Sequence, residues 1–133
     1  MKQSRKMNQI LAGLFVAFYT LCSCQQKGNY VTLPIEEFAV LIEDQEVQRL
    51  DVRTTAEYTE GHIPGALNLN VLDHSFAAMA DSILEKKAPV ALYCRSGKRS
   101  KKAAALLSAK GYRVYELESG FNGWTGAGKA VDK

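Results

Sequence analysis

Pro89-Val90-Ala91-Leu92-Tyr93-Cys94-Arg95-Ser96-Gly97-Lys98-Arg99-Ser100 reads as a strand, a turn and the opening of a helix. Pro89 to Tyr93 is a short apolar run, the mark of a buried strand. From Ser100 to Lys110 the chain holds Ala103, Ala104, Ala105, Leu106, Leu107 and Ala109, strong helix formers closed by Gly111. Cys94 through Ser100 is then a strand-to-helix turn that begins with a thiol and carries three cations, Arg95, Lys98 and Arg99. A helix start presents unpaired N–H groups and the positive end of a dipole, so it favours anions. A cysteine there is expected to have a depressed pKa and to act as a thiolate nucleophile.

The flanking chain alternates strand and helix signals. Tyr30–Leu33 reads as a brief strand, and Pro34–Glu43 as a helix with Ile35, Phe38, Leu41 and Ile42 at helical spacing. Val47–Val52 alternates as a strand, and Thr54 or Thr55 is placed to cap a short helix with Glu57 near its positive end. Gly61-His62-Ile63-Pro64-Gly65-Ala66 is a loop by composition, and Leu67–Asn70 a minimal strand. A helix is expected over Asp73–Lys87, with Phe76, Met79, Ala80, Ile83 and Leu84 on one face, and a last strand over Tyr112–Leu117. Gly120, Gly123, Gly126 and Gly128 make the end of the chain read as loop, with Phe121 and Trp124 as apolar plugs. This order argues an α/β domain with a mainly parallel central sheet and helices on both faces. Ligands of such sheets sit outside the carboxyl ends of the strands. Cys94, the Asp51-Val52-Arg53 segment and the loop around His62 all fall on that edge.

The 133 residues leave room for one domain, and 47% apolar with 23% charged residues is an ordinary globular composition. The start is different. Lys2, Arg5 and Lys6 precede the apolar run Ile10–Leu21, which is short for a membrane span and fits an export signal. Leu21-Cys22-Ser23-Cys24 resembles the lipobox of bacterial lipoproteins. That resemblance implies a signal peptide over residues 1–23, cleavage before Cys24, lipid on its sulfur, and a lipidated tether over residues 24–29. A multiply acylated end holds a membrane firmly. Gln25 rather than Asp after the cysteine points, by the same resemblance, to the outer membrane on its periplasmic side, within the bacterial cell envelope. Removing the signal leaves 14 basic against 14 acidic residues, so no global charge suggests nucleic acid. It also leaves Cys94 as the lone thiol, with no internal disulfide, no resolving cysteine and no cysteine cluster for zinc. Neither a metal nor a cofactor is called for.

Taken in order, Leu50-Asp51-Val52-Arg53, Glu57-Tyr58, Gly61–Ala66 with Asn68, Val90–Tyr93, Cys94–Ser100 and Gly120–Trp124 resemble the rhodanese superfamily. The resemblance implies a single rhodanese-like domain over residues 30–126, followed by a C-terminal tail over 127–133. It also implies sulfur transfer. Cys94 would take the outer sulfur of thiosulfate or a related donor, become a persulfide, and pass that sulfur to a thiol or cyanide acceptor. Arg95, Ser96, Gly97, Lys98, Arg99 and Ser100 would form the substrate-binding loop, through N–H groups, a glycine that tolerates positive φ, and cations suited to an oxyanion. The family has two glycines before the tryptophan helix; here Ser119-Gly120 supplies one.

Two other readings compete. Cysteine-dependent phosphatases place an arginine after five intervening residues, which here is Ser100, with Arg99 one residue early. A rhodanese-like fold can also serve as an inert interaction domain, but the thiol and its whole loop are present. Thioredoxin-like exchange lacks its Cys-x-x-Cys. Asp51 and Arg53 are expected to support the loop as a structural pair. His62 and His74 are given structural roles, because a thiolate at a helix end needs no base, and Trp124 a packing one.

Overall fold

The computed structural model describes residues 29–133; the signal segment, Cys22, Cys24 and the tether before Asn29 lie outside the described residues. Among the described residues, five strands and five helices alternate. They are β1 (Val31–Leu33), α1 (Ile35–Leu41), β2 (Gln48–Asp51), α2 (Thr55–Glu60), β3 (Leu67–Asn68), α3 (Phe76–Ile83), β4 (Val90–Tyr93), α4 (Lys98–Ala109), β5 (Val114–Leu117) and α5 (Gly120–Gly126). The strands form one sheet in the order β1-β5-β4-β2-β3, and every pair is parallel. β4 is its middle strand, and all four of its residues are buried. That burial on both sides explains the unbroken apolar run before Cys94.

Successive β4 side chains serve two cores. Val90 and Leu92, then Cys94, pack with Phe76, Ala80, Ala103, Ala104 and Leu107 of α3 and α4. Ala91 and Tyr93 pack with Phe38, Ile63, Leu117 and Trp124 on the other face. Helices therefore cover both faces, as the alternation of elements requires.

Two expectations need correction. The α3 helix is shorter than Asp73–Lys87, because the chain turns extended at Leu84, with ψ at 150°, to run back toward β4. Phe76, Ala80 and Leu84 make its buried stripe, while Met79 and Ile83, rotated off that stripe, are exposed. The glycine-rich end is also no loop. Gly120–Gly126 is helix α5, anchored by Trp124, which meets Phe38 edge to face at 6.2 Å and donates from Nε1 to the Ala130 oxygen at 2.8 Å. Residues beyond it fold back, and His62 and Asp132 exchange backbone hydrogen bonds of 2.9 Å. Tertiary contacts here outweigh the low helix propensity of glycine.

Among the described residues no helix is long and apolar enough to cross a membrane, and no group of ligating side chains is arranged to hold a metal ion.

Candidate active site

The turn after β4 is tighter than its sequence suggests. Helix α4 starts at Lys98, not Ser100, so only Cys94 to Gly97 bridge strand and helix. Gly97 makes this possible with φ at 101°, a left-handed value that disfavours any side chain. Its N–H donates to Cys94 Sγ at 3.1 Å. Burial pushes the Cys94 thiol up, but the Ser100 hydroxyl and the backbone N–H groups of Ser100, Gly97 and Ser96 outweigh it and bring the pKa below the ordinary thiol value.

A second element closes the turn from below. The first N–H groups of α5, from Phe121 and Asn122, donate to the Cys94 and Arg95 carbonyls at 2.8 and 2.9 Å. Each end thereby satisfies orphan groups of the other. Gly120 permits the approach, with φ at 63° and a would-be Cβ only 2.5 Å from the Arg95 oxygen. Ser119, standing where the family pattern has its first glycine, keeps an ordinary φ of −90°, so the turn forms without that glycine.

The three cations part ways. Arg95 and Lys98 are exposed, and neither makes an ion pair among the described residues. Arg99 is held instead by Glu57 in a two-pronged contact, Nη1 to Oε1 at 2.7 Å and Nη2 to Oε2 at 2.9 Å. Glu57 is itself fixed by the capping box with Thr54 that starts α2. Arg99, against the opposing effect of burial and with help from Thr54, lowers the Glu57 carboxyl to about 2. A carboxyl depressed from 4.5 stabilises the fold fully above that value and loses the contribution as pH falls toward about 2. Glu57→Gln should therefore flatten the acid side of the stability curve. Urea midpoints at about pH 6 and about pH 3 should lie closer together in the variant than in the parent; an unchanged gap would show that this pair does not carry the slope.

Asp51 and Arg53 lie under the sheet edge as a buried pair, 0% and 3% exposed. Asp51 Oδ1 accepts from the Arg53 N–H at 2.9 Å and from Nε at 3.0 Å, and Oδ2 accepts from Nη2 at 2.7 Å. Oδ2 also accepts from the Tyr93 hydroxyl at 2.7 Å, which in turn accepts from the Ile63 N–H at 2.9 Å. Arg53 donates to the Gly61 carbonyl at 2.6 Å and lies 4.2 Å over the Phe121 ring. Burial works against the Arg53 charge, but Asp51 outweighs it and raises the pKa. Burial, then the Asp51 charge, pushes the Tyr93 phenol up, so it stays a donor. This network braces the His62 loop and α5 rather than reaching Cys94 itself. His62 stacks on Tyr58 at 3.8 Å, with Nδ1 2.9 Å from the Tyr58 carbonyl, and His74 is exposed on the turn before α3.

Glu116 is the site residue that sequence reasoning misses, and the pairing of Glu57 with Arg99 is not foreseen by the placement of Glu57 at the positive end of α2 or in the Glu57-Tyr58 piece of the family pattern. Glu116 carries a legible signal: an acid in phase with Val114 on the core side of an alternating strand.

A family model for rhodanese-like domains matches residues 34–127. A sulfurtransferase of Allochromatium vinosum is 38% identical over 92 residues, covering 68% of this chain and 83% of the relative. Thiosulfate sulfurtransferase GlpE of Shewanella oneidensis is 35% identical over 100 residues, covering 73% and 94%. Among solved structures, a rhodanese-related protein from Thermoplasma volcanium superposes with a TM-score of 0.68 at 27% identity, covering 77% of this chain and 98% of the other.

Proposed function

Because this chain belongs to the family of rhodanese-like domains, we propose that it is a sulfurtransferase in which Cys94 carries the sulfur. The thiolate attacks the outer sulfur of thiosulfate or a related donor. A new S–S bond forms at Cys94, the donor S–S bond breaks, and sulfite leaves with the bonding pair. A thiol or cyanide acceptor then attacks the outer sulfur and returns the Cys94 thiolate. The step needs no outside oxidant, and the hydrogen bonds that lower the Cys94 pKa enlarge the thiolate share that attacks.

The observation that carries this reading is the Gly97 N–H donated to Sγ within a four-residue turn. The surrounding N–H groups suit one anionic sulfur, and exposed Arg95 and Lys98 can draw in an oxyanion. Phosphoryl transfer fits less well. Its cradle arginine would stand at Ser100, and the nearest guanidinium, Arg99, is bound to Glu57.

Full-length protein with Cys22→Ser and Cys24→Ser, leaving Cys94 the sole thiol, is expected to release sulfite from thiosulfate in the presence of cyanide. Cys94→Ala should reduce that rate to the uncatalysed background; residual turnover above it would remove Cys94 from the central role. Membrane attachment through lipidated Cys24 belongs to the same reading. Cys24→Ala alone should move the protein from the membrane fraction to the soluble one, and unchanged retention would overturn the anchor.

A further inference from the structure

The start of α4 is charged against its own dipole. Lys98, Arg99, Lys101 and Lys102 crowd a helix start with no acid in its first turn, an end where cations are disfavoured. Two of them are held by acids that other elements supply. Glu57 of α2 takes Arg99, and Glu116 of β5 takes Lys101, with Nζ 3.0 Å from Oε1. Glu116 is 0% exposed, on the core side of its strand. Thr32, its register partner on β1, donates to Oε2 at 2.7 Å, and the Ser100 hydroxyl donates to Oε1 at 2.7 Å. Donors on both oxygens, with an ammonium beside one, are the setting of an ionised carboxylate.

Lys101 differs from the acid that holds it. Its side chain is 47% exposed, and a lysine with that freedom ordinarily extends its ammonium into water. Here it folds back. The Nζ that meets Glu116 also donates to the Gly97 carbonyl at 2.9 Å, and the Gly97 N–H is the donor to Cys94 Sγ at 3.1 Å. The left-handed residue that shapes the turn is therefore gripped at its oxygen while its N–H faces the sulfur. We propose that Lys101 is a positioning residue of the Cys94 loop, kept in place by the buried carboxylate of Glu116. Its ammonium fixes the Gly97 carbonyl, and with it the direction of the Gly97 N–H, and sets a positive charge beside the turn. The role takes its functional meaning from the sulfur-transfer reading, and its chemistry from these contacts alone.

In that reading the anions served are the Cys94 thiolate and the persulfide made from it. Against the burial that pushes the thiol up, the Gly97 N–H is among the donors that bring its pKa down. Without Lys101 this donor is less firmly aimed, and the thiolate loses a nearby positive charge. The other charges around the sulfur are few. Arg99 is within electrostatic reach of Cys94 while bound to Glu57, and Arg95, Lys98 and Glu118 lie exposed at the rim. The Asp51–Arg53 pair bonds with Tyr93 toward the opposite core. From α3 the sulfur's core receives the uncharged Phe76 and Ala80, and α5, which has no charged residue, meets Cys94 through the Phe121 N–H.

In the full chain with Cys22→Ser and Cys24→Ser, the pH dependence of Cys94 alkylation by iodoacetamide gives the apparent thiol pKa. Lys101→Met should raise that pKa by about 0.5 unit or more. An unchanged or lowered value overturns the proposal. Lys101→Arg keeps the charge and can donate to both oxygens, so it should retain most of the parent value; a shift as large as that of the Met variant overturns it. In a Glu116→Gln background nothing holds the lysine charge on the loop, and Lys101→Met should then shift the pKa by less than half as much. A shift of equal size in both backgrounds would mean that Lys101 needs no hold from Glu116, which contradicts the proposal. Should Glu116→Gln fail to fold, the comparison of Met with Arg at position 101 decides the matter. Alkylation requires no sulfur donor, so these results stand apart from whether the protein transfers sulfur.

Discussion

Asp51→Ala is expected to destabilise the domain by roughly 3–5 kcal/mol, the usual consequence of stripping a buried charge of its partner. Arg53 is 3% exposed and sends its Nε and Nη2 donors into Asp51. With the carboxylate gone, the Gly61 carbonyl and the rings of Phe121 and Tyr93 remain beside the guanidinium. None of these carries a charge. Tyr93, whose phenol donates to the same carboxylate, would lose its acceptor in a buried site. Against a total stability of about 5–15 kcal/mol for a domain of this kind, the loss is a large fraction. It should also reach the loop, because Phe121 both lies beneath Arg53 and donates its N–H to Cys94. Urea unfolding checks it: a midpoint change equivalent to less than about 1 kcal/mol would mean that water reaches Arg53 and replaces Asp51.

Gly97→Ala should be nearly as damaging to the fold and worse for the site. The position has φ at 101°, which costs an L-residue about 1–2 kcal/mol. Its new Cβ would lie 2.2 Å from the Glu118 carbonyl oxygen, a backbone atom tied into the sheet by the Glu118 N–H to Leu33 bond of 3.0 Å. Backbone must therefore move, adding about 1–3 kcal/mol. The N–H lost from its place is the one aimed at Sγ, and a displacement of about 1 Å is enough to cost roughly 100-fold in rate. Sulfite release and urea unfolding report the two effects. Gly126→Ala is the matched control, since nothing lies within 4 Å of its would-be Cβ, and it should be neutral or slightly stabilising. Equal behaviour of the two variants would show that the loop is more pliable than its backbone contacts imply.

What the sequence made legible follows from which interactions are local. The β4 run and the helix after it are neighbours in the chain, so the strand-turn-helix unit and the parallel sheet could be read from patterning alone. The capping of α2 by Thr54 was readable for the same reason. The Ala/Leu-rich run points to a helix from Ser100, two residues late, because the left-handed backbone at Gly97 that starts α4 at Lys98 is not visible in residue propensities. Helix α5 is hidden because Gly120 serves close approach to the Cys94 loop, a contact between Cys94 and Gly120 some 26 residues apart that no local pattern announces. The commitment of Arg99 to Glu57, 42 residues away, and of Ser100 to Glu116, 16 residues away, has no local signature either. Among the cations of the loop, sequence could supply the charges but not their partners.

The central claim is that Cys94 carries sulfur as a covalent intermediate. Its most direct test is the mass of the protein in which Cys94 is the sole thiol, taken after exposure to thiosulfate and again after addition of cyanide. The account predicts a gain of one sulfur atom, one sulfite released for each sulfur gained, and return to the starting mass with cyanide; Cys94→Ala should gain nothing. A wild-type loop that gains no sulfur from thiosulfate or any other sulfane donor would contradict it, most pointedly if the same protein hydrolysed an aryl phosphate.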